Sequence, residues 1–200
     1  MMANRNVKFV DIYSHGNGKS DEYYTPPYAV IPLLEYLPKD KIIWECTDTS
    51  GSISSFLKDK GYEVVSTEDN FLLYNIPKGD IIVTNPPYSI KTNFLEHAYE
   101  LGIPFAFLLP ITALEGFKRQ EMYRRYGISL ILFNKRIQFR SDQSGAWFAT
   151  AWFVHGLNLP HDINFFDLSK INQINQRLAN GSNKSYNPNK IDMTQFEEYE

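Results

Sequence analysis

Short, unbroken apolar runs alternate along this chain with stretches in which apolar residues recur at every third or fourth position. The runs are Ile42-Ile43-Trp44, Val64-Val65, Ile81-Ile82-Val83, residues 105–109, residues 128–133 and residues 147–154. Between them, Val30, Leu33, Leu34 and Leu37 share one helical face behind Pro27, which suits a first helical turn. Gly51 opens a second helix with Ile53, Phe56 and Leu57 on one side, and Gly61 closes it. Ile90, Phe94, Leu95, Ala98 and Leu101 line a third, and residues 112–126 form a fourth with Gly127 as its C-terminal cap. Strands that are apolar throughout are buried on both faces, and the helices between them supply the cover. The chain therefore predicts an α/β domain with a mostly parallel sheet and helices on both faces. No helix separates the last two runs, so they predict an antiparallel pair at one edge. Residues 1–22 are polar, with one short strand candidate at 8–13, and predict a flexible lead. Residues 23–180 form the domain, ending in a helix over 166–178, and residues 181–200 predict a disordered polar tail.

Composition narrows the classes. A single cysteine, Cys46, excludes a disulfide framework and a cysteine-based zinc site, and points to a reducing compartment such as the cytoplasm. No apolar run approaches the roughly 18 residues of a membrane span, and no apolar segment follows the first charges as in a secretory signal. The net charge of −3 argues against nonspecific coating of nucleic acid. Residues 91–140 nonetheless hold eight basic against four acidic side chains. Of these, Lys118, Arg119, Arg124, Arg125, Lys135, Arg136 and Arg140 are candidate phosphate contacts, with a solvated helix face as the equal alternative. His97, His155 and His161 lack metal-ligand spacing, so no metal is expected. His15-Gly16-Asn17-Gly18 lacks the strand–helix context of a phosphate cradle. Trp147 and Trp152 fall on opposite faces of their run and suit packing. The polar loop 140–145 reads first as a turn and second as a substrate clamp.

Open α/β sheets bind ligands beyond the carboxyl ends of their strands. After the run at 81–83 comes Asn85-Pro86-Pro87-Tyr88. Two prolines cannot continue a central strand, so the turn is stiff and presents Asn85 and Tyr88 at the sheet edge. The Asn85 side-chain oxygen and the Pro86 carbonyl can accept both hydrogens of an exocyclic amine. Accepting them frees a lone pair otherwise delocalised into a ring, and Tyr88 offers a flat face to an extruded base. A Pro-Pro turn that merely ends a strand is the alternative. After the run at 42–44, residues 45–51 form a small-residue loop before a helix, which lets a ligand approach the backbone. After Val64-Val65, Glu68 lies 23 positions past Glu45, where a carboxylate can hold ribose hydroxyls.

On these segments the chain resembles the class I S-adenosylmethionine-dependent methyltransferases over residues 21–157. Within them it is similar to the small adenine-N6 methyltransferases of phages and prophages, with their Asn-Pro-Pro-Tyr motif. The resemblance implies a Rossmann-like, seven-stranded sheet in the order 3-2-1-4-5-7-6. It implies that Tyr24, Thr25 and Pro26 lie against the methionine moiety of S-adenosylmethionine. Glu45, Cys46, Thr47, Thr49 and Gly51 would form the first cofactor loop. Glu68 with Asp69 would take the ribose, and Asn70-Phe71 the adenine. Asn85, Pro86, Pro87 and Tyr88 would be catalytic. Thr49 departs from the pattern, which has glycine there, and its branched side chain would reduce room for the cofactor. The implied function is N-methylation of an exocyclic amine, adenine N6 in DNA first, in the cytoplasm of a cell or of a phage host. The same motif serves RNA bases and protein glutamines, and no long target-recognition segment is evident. A catalytically silent binding module on the same fold is the alternative of another class.

Overall fold

A computed structural model describes residues 25–139 and 148–171. The expected lead, Tyr24, His15 to Gly18, the loop 140–145 with Arg140, Trp147 and the polar tail lie outside the described residues. The chain divides into two units, Met1–Leu168 and Ser169–Glu200. The architecture below is that of the first.

Seven strands form one sheet: β1 (Ile43–Glu45), β2 (Val64–Ser66), β3 (Ile81–Thr84), β4 (Phe105–Pro110), β5 (Ser129–Phe133), β6 (Thr150–His155) and β7 (Ile163–Phe166). Their order is β2-β1-β3-β4-β6-β5-β7. β2, β1, β3 and β4 are parallel, β6 runs antiparallel to both β4 and β5, and β7 adds parallel to β5. The antiparallel pair was expected at the edge and lies one strand inside it. The order also departs from the one the resemblance implied. Among the described residues no strand flanks β2 on its outer side, and residues 67–80 hold only a 3-10 turn, Phe71–Leu73, before β3. One crossover fills that length, and a further strand with its own crossover does not fit. The seventh strand instead comes from residues 163–166, so Phe166 ends a strand where a helix was expected to begin.

Among the described residues three α-helices cover the sheet: α1 (Ser52–Asp59), α2 (Lys91–Leu101) and α3 (Phe117–Tyr126). The stripe at 30–37 becomes two 3-10 turns, Pro27–Ala29 and Ile31–Glu35, since Pro32 lacks an N–H and crowds the preceding turn. The stretch expected as one helix at 112–126 breaks at Gly116, whose φ of 96° ends a 3-10 turn, Ile111–Leu114, before α3 begins. Alternation along β4 divides the core. Phe105, Phe107 and Leu109 pack with Phe94 and Ala98 of α2 and Met122 of α3. Ala106 and Leu108 pack with Ile53 and Leu57 of α1 and with Ala29 and Leu33. Trp152 is fully buried, as a packing residue should be, and its Nε1 donates to the Ala29 carbonyl at 2.6 Å. That bond ties the segment before α1 to the middle of the sheet. Among the described residues no helix is long and apolar enough to cross a membrane.

Candidate functional site

The carboxyl ends of the four parallel strands meet at one edge. β1 ends in Glu45, an acid only 2% exposed. Thr84, last in the neighbouring β3, donates its hydroxyl to Glu45 Oε1. The Thr47 amide donates to the same oxygen at 3.0 Å and the Thr47 hydroxyl at 3.3 Å. None of these partners is charged. Burial outweighs the hydrogen bonds and, helped slightly by nearby Asp48, pushes the Glu45 pKa up to about 8. Cys46 beside it is buried in the core, and desolvation holds its thiol protonated and inert.

The loop after β1 is built by Asp48. Its carboxylate accepts from the Gly51 amide at 2.8 Å and from the Ser54 hydroxyl at 2.5 Å, which fixes the entry to α1. Gly51 has φ 68°, and a side chain there would meet nothing within 4 Å, so the backbone faces open space. Thr49 is exposed, and its amide donates to the Thr47 carbonyl at 2.8 Å. Its side chain therefore borders the loop without filling it. Thr25 is buried, its carbonyl taking the Ser52 hydroxyl at the start of α1, and Pro26 follows half-buried. The loop after β2 is laced to the first one. The Thr67 amide donates to the Glu45 carbonyl at 3.0 Å, and the Asp48 amide to the Thr67 carbonyl at 3.2 Å. Glu68 and Asp69 are exposed next to this junction, and Asp69 accepts from the Tyr74 hydroxyl at 3.1 Å. Asn70 and Phe71 are placed differently from what the resemblance implied. The Asn70 side chain caps a turn by accepting from the Leu72 amide at 3.0 Å. Phe71 is fully buried between Trp44 and Phe94. The apolar side chains displayed on that loop are Leu73 and Ile76, each about three-quarters exposed.

Asn85 to Tyr88 follow β3 and lead through a 3-10 turn, Tyr88–Ile90, into α2. The Asn85 carbonyl lies 3.5 Å from the Thr47 hydroxyl, so the diproline turn and the loop after β1 share one wall. The Asn85 side-chain oxygen and the Tyr88 hydroxyl are closed to solvent. The Tyr88 ring was expected to be displayed. It is instead packed edge-on to Phe148, with centroids 5.6 Å apart. Lys91, in the first turn of α2, donates to the Tyr88 carbonyl at 2.9 Å and holds the turn from behind. Thr84, Lys91 and Phe148 were not singled out as site residues. Thr84 carried a signal, a polar residue closing an apolar strand. Phe148 carried none, because it sits at the end of a run that reads as core.

Among the described residues the candidate basic side chains do not gather. α3 runs back from the site edge over about 15 Å, so Arg124 and Arg125 in its last turn lie toward the opposite edge. Lys118 pairs with Glu96 at 2.7 Å. Arg119 is a brace: its Nε donates to the Ala113 carbonyl at 2.9 Å and its Nη1 to the Thr92 hydroxyl at 2.7 Å. A side chain at Gly116 would come within 2.8 Å of the same guanidinium. Arg119→Ala is expected to cost about 2 kcal/mol, a fall in Tm of about 6 °C that thermal unfolding followed by circular dichroism will read. Lys135 and Arg136 are exposed after β5, which ends on the site edge. Among the described residues no cluster of three or more His, Cys, Asp or Glu could hold a metal.

No protein-family model matches the sequence, and no curated protein does. Among solved structures, the chain is similar to a candidate class I S-adenosylmethionine-dependent methyltransferase from Listeria monocytogenes, with a TM-score of 0.52 at 14% identity, over 84% of this chain and 74% of that one. It also aligns with the M protein of the type I restriction enzyme EcoKI, with a TM-score of 0.46 at 15% identity, over 74% of this chain and 48% of that one. An O-methyltransferase assigned by prediction, from Agrobacterium tumefaciens, aligns with a TM-score of 0.44 at 9% identity, over 74% of this chain and 96% of that one. The first likeness shows the fold alone: a Rossmann-like, mostly parallel sheet with helices on both faces, as in that methyltransferase structure.

Proposed function

We propose that this chain is an S-adenosylmethionine-dependent N-methyltransferase whose acceptor is an exocyclic amine, adenine N6 in DNA before any other. The observation that carries this reading is the shared wall. One hydroxyl, that of Thr47, reaches both the buried Glu45 carboxyl at 3.3 Å and the Asn85 carbonyl at 3.5 Å. A donor site and an acceptor site that must meet for group transfer thus lie side by side.

The residues fit the cofactor. A sealed carboxyl with only uncharged partners gains most from a cation, and S-adenosylmethionine carries an ammonium. Exposed Glu68 and Asp69 suit ribose hydroxyls, and the open space at Gly51 leaves the loop accessible. When bound, the cofactor supplies a methyl group on a sulfonium, which departs as a neutral thioether. Catalysis by the chain is then chiefly positioning and electrostatics. Asn85 and Pro86 accept the two amino hydrogens and turn the lone pair toward the methyl. Lys91 keeps the turn in place through the Tyr88 carbonyl. A base enters where Tyr88 now meets Phe148, and stacking between them requires the rings to part to about 7 Å. Lys118, Lys135 and Arg136 border that edge and would steer phosphates, while Arg124 and Arg125 lie too far back to contact the same nucleotide.

Unmethylated DNA, tRNA, rRNA and a protein extract, each given labelled S-adenosylmethionine and the chain, test the reading. N6-methyladenine in DNA is the expected product. Label in RNA or protein alone reassigns the substrate, and label in none of the four defeats the enzymatic reading.

A further inference from the structure

Buried hydroxyls are nearly always hydrogen-bonded, and one left without a partner calls for an explanation. Thr150 is 4% exposed, and its Oγ1 has no hydrogen-bond partner among the described residues. It opens β6 opposite Pro110, the last residue of β4, at the same edge as the diproline turn. Alternation along β6 places Thr150 with Trp152 and Val154, the face to which Ile81 and Val83 of β3 also belong. Asn85 precedes a proline and so stays extended, which carries the β3 alternation one residue further, onto that face. Two strand spacings and two residues separate Asn85 from Thr150, roughly 12 Å between α-carbons. Phe148, two residues before Thr150, touches Tyr88. The hydroxyl therefore borders the place assigned above to the acceptor base, across from the amide.

We infer that Thr150 is an acceptor-binding residue, whose hydroxyl donates to the ring nitrogen beside the amino group of the methylated base. The inference rests on the methyltransferase reading. In an aminopurine or aminopyrimidine held by both amino hydrogens, the adjacent ring nitrogen is the next polar atom on that edge, and it is an acceptor. A threonine hydroxyl can donate to it. Side-chain reach from Asn85 and Thr150, with a hydrogen bond at each end, leaves room for the short span between an exocyclic nitrogen and its ring neighbour.

Thr150→Val keeps the shape and removes the hydroxyl, and Thr150→Ser keeps the hydroxyl. Each is compared with the wild-type chain by steady-state methyl transfer to unmethylated DNA, calorimetry with S-adenosylmethionine, and thermal unfolding. The valine variant is expected to lose about 10–100-fold in kcat/KM for DNA. It is expected to bind the cofactor as the wild type does and to melt about 3 °C higher, because an unsatisfied buried hydroxyl has gone. The serine variant is expected to retain most of the activity. A hydroxyl that merely supports the fold gives the opposite pattern, a lower Tm with unchanged kcat/KM, and that result overturns the inference. An active wild type matched in kcat/KM by the valine variant overturns it alone. A wild type inert on every nucleic acid overturns the methyltransferase reading and this one with it.

Discussion

Asn85→Ala is expected to lower methyl transfer by about 100–1,000-fold while leaving S-adenosylmethionine affinity within about threefold. The magnitude is that of removing one preorganised polar group aimed at charge that develops in the transition state. An exocyclic amine conjugated to a ring is a weak nucleophile, and the nitrogen attacks only as its lone pair leaves the ring plane. Hydrogen-bond acceptors on both amino hydrogens favour that geometry more in the transition state than in the ground state, so the loss falls on kcat. The substitution spares the wall of the site, because the link from Thr47 goes to the main-chain carbonyl of Asn85 and not to its side chain. Cofactor binding is therefore a fair control on folding. Asn85→Asp, which keeps an acceptor oxygen at that place, is expected to retain more activity than the alanine variant. Radiolabel transfer under single-turnover conditions separates chemistry from product release. Equal rates for wild type and Asn85→Ala would remove the assigned role.

Much of the fold was legible because its strands are apolar without alternation and its helices carry single stripes. Ile43-Trp44, Ile81 to Val83 and Phe105 to Leu109 read as strands covered on both sides, and they are. Asn85 to Tyr88 and Glu45 stood out because polar and proline residues end those runs. What stayed hidden depended on pairing. Nothing local distinguishes a strand at 163–166 from the start of a helix, since Ile163 and Phe165 are exposed on an edge and the partner, β5, supplies the ladder. That no further strand lies between β2 and β3 was readable in principle from the short stretch 67–80, which has room for one crossover. Phe71 illustrates the limit of motif transfer. Its position in sequence suited a cofactor contact, and its apolar ring found the core between Trp44 and Phe94 instead. Arg119 likewise belonged to a basic cluster by composition and became a brace by geometry.

The pH dependence of stability should expose Glu45. Its pKa in the folded chain is about 8, against 4.5 for an exposed glutamate. Between those values the folded state holds a proton that the unfolded chain has released, so folding stability falls as pH rises. The loss is about 1.4 kcal/mol per pH unit, or about 4–5 kcal/mol in all, nearly complete above pH 8. Glu45→Gln keeps the hydrogen-bonding shape without the ionisation, and is expected to be more stable than the wild type by about that amount at pH 9 and nearly equal to it at pH 4. Urea unfolding of both proteins across that range isolates the difference, because every other titrating group is common to them. The cofactor's effect has the opposite sign. Its ammonium favours the ionised carboxyl, so wild-type affinity for S-adenosylmethionine is expected to climb toward tenfold per pH unit from pH 6 to about 8. Above that it levels and declines as an α-amino group loses its own proton. Glu45→Gln, with nothing to ionise, should bind weakly and without the climb. Parallel binding curves for the two proteins would mean that the ammonium does not sit at Glu45.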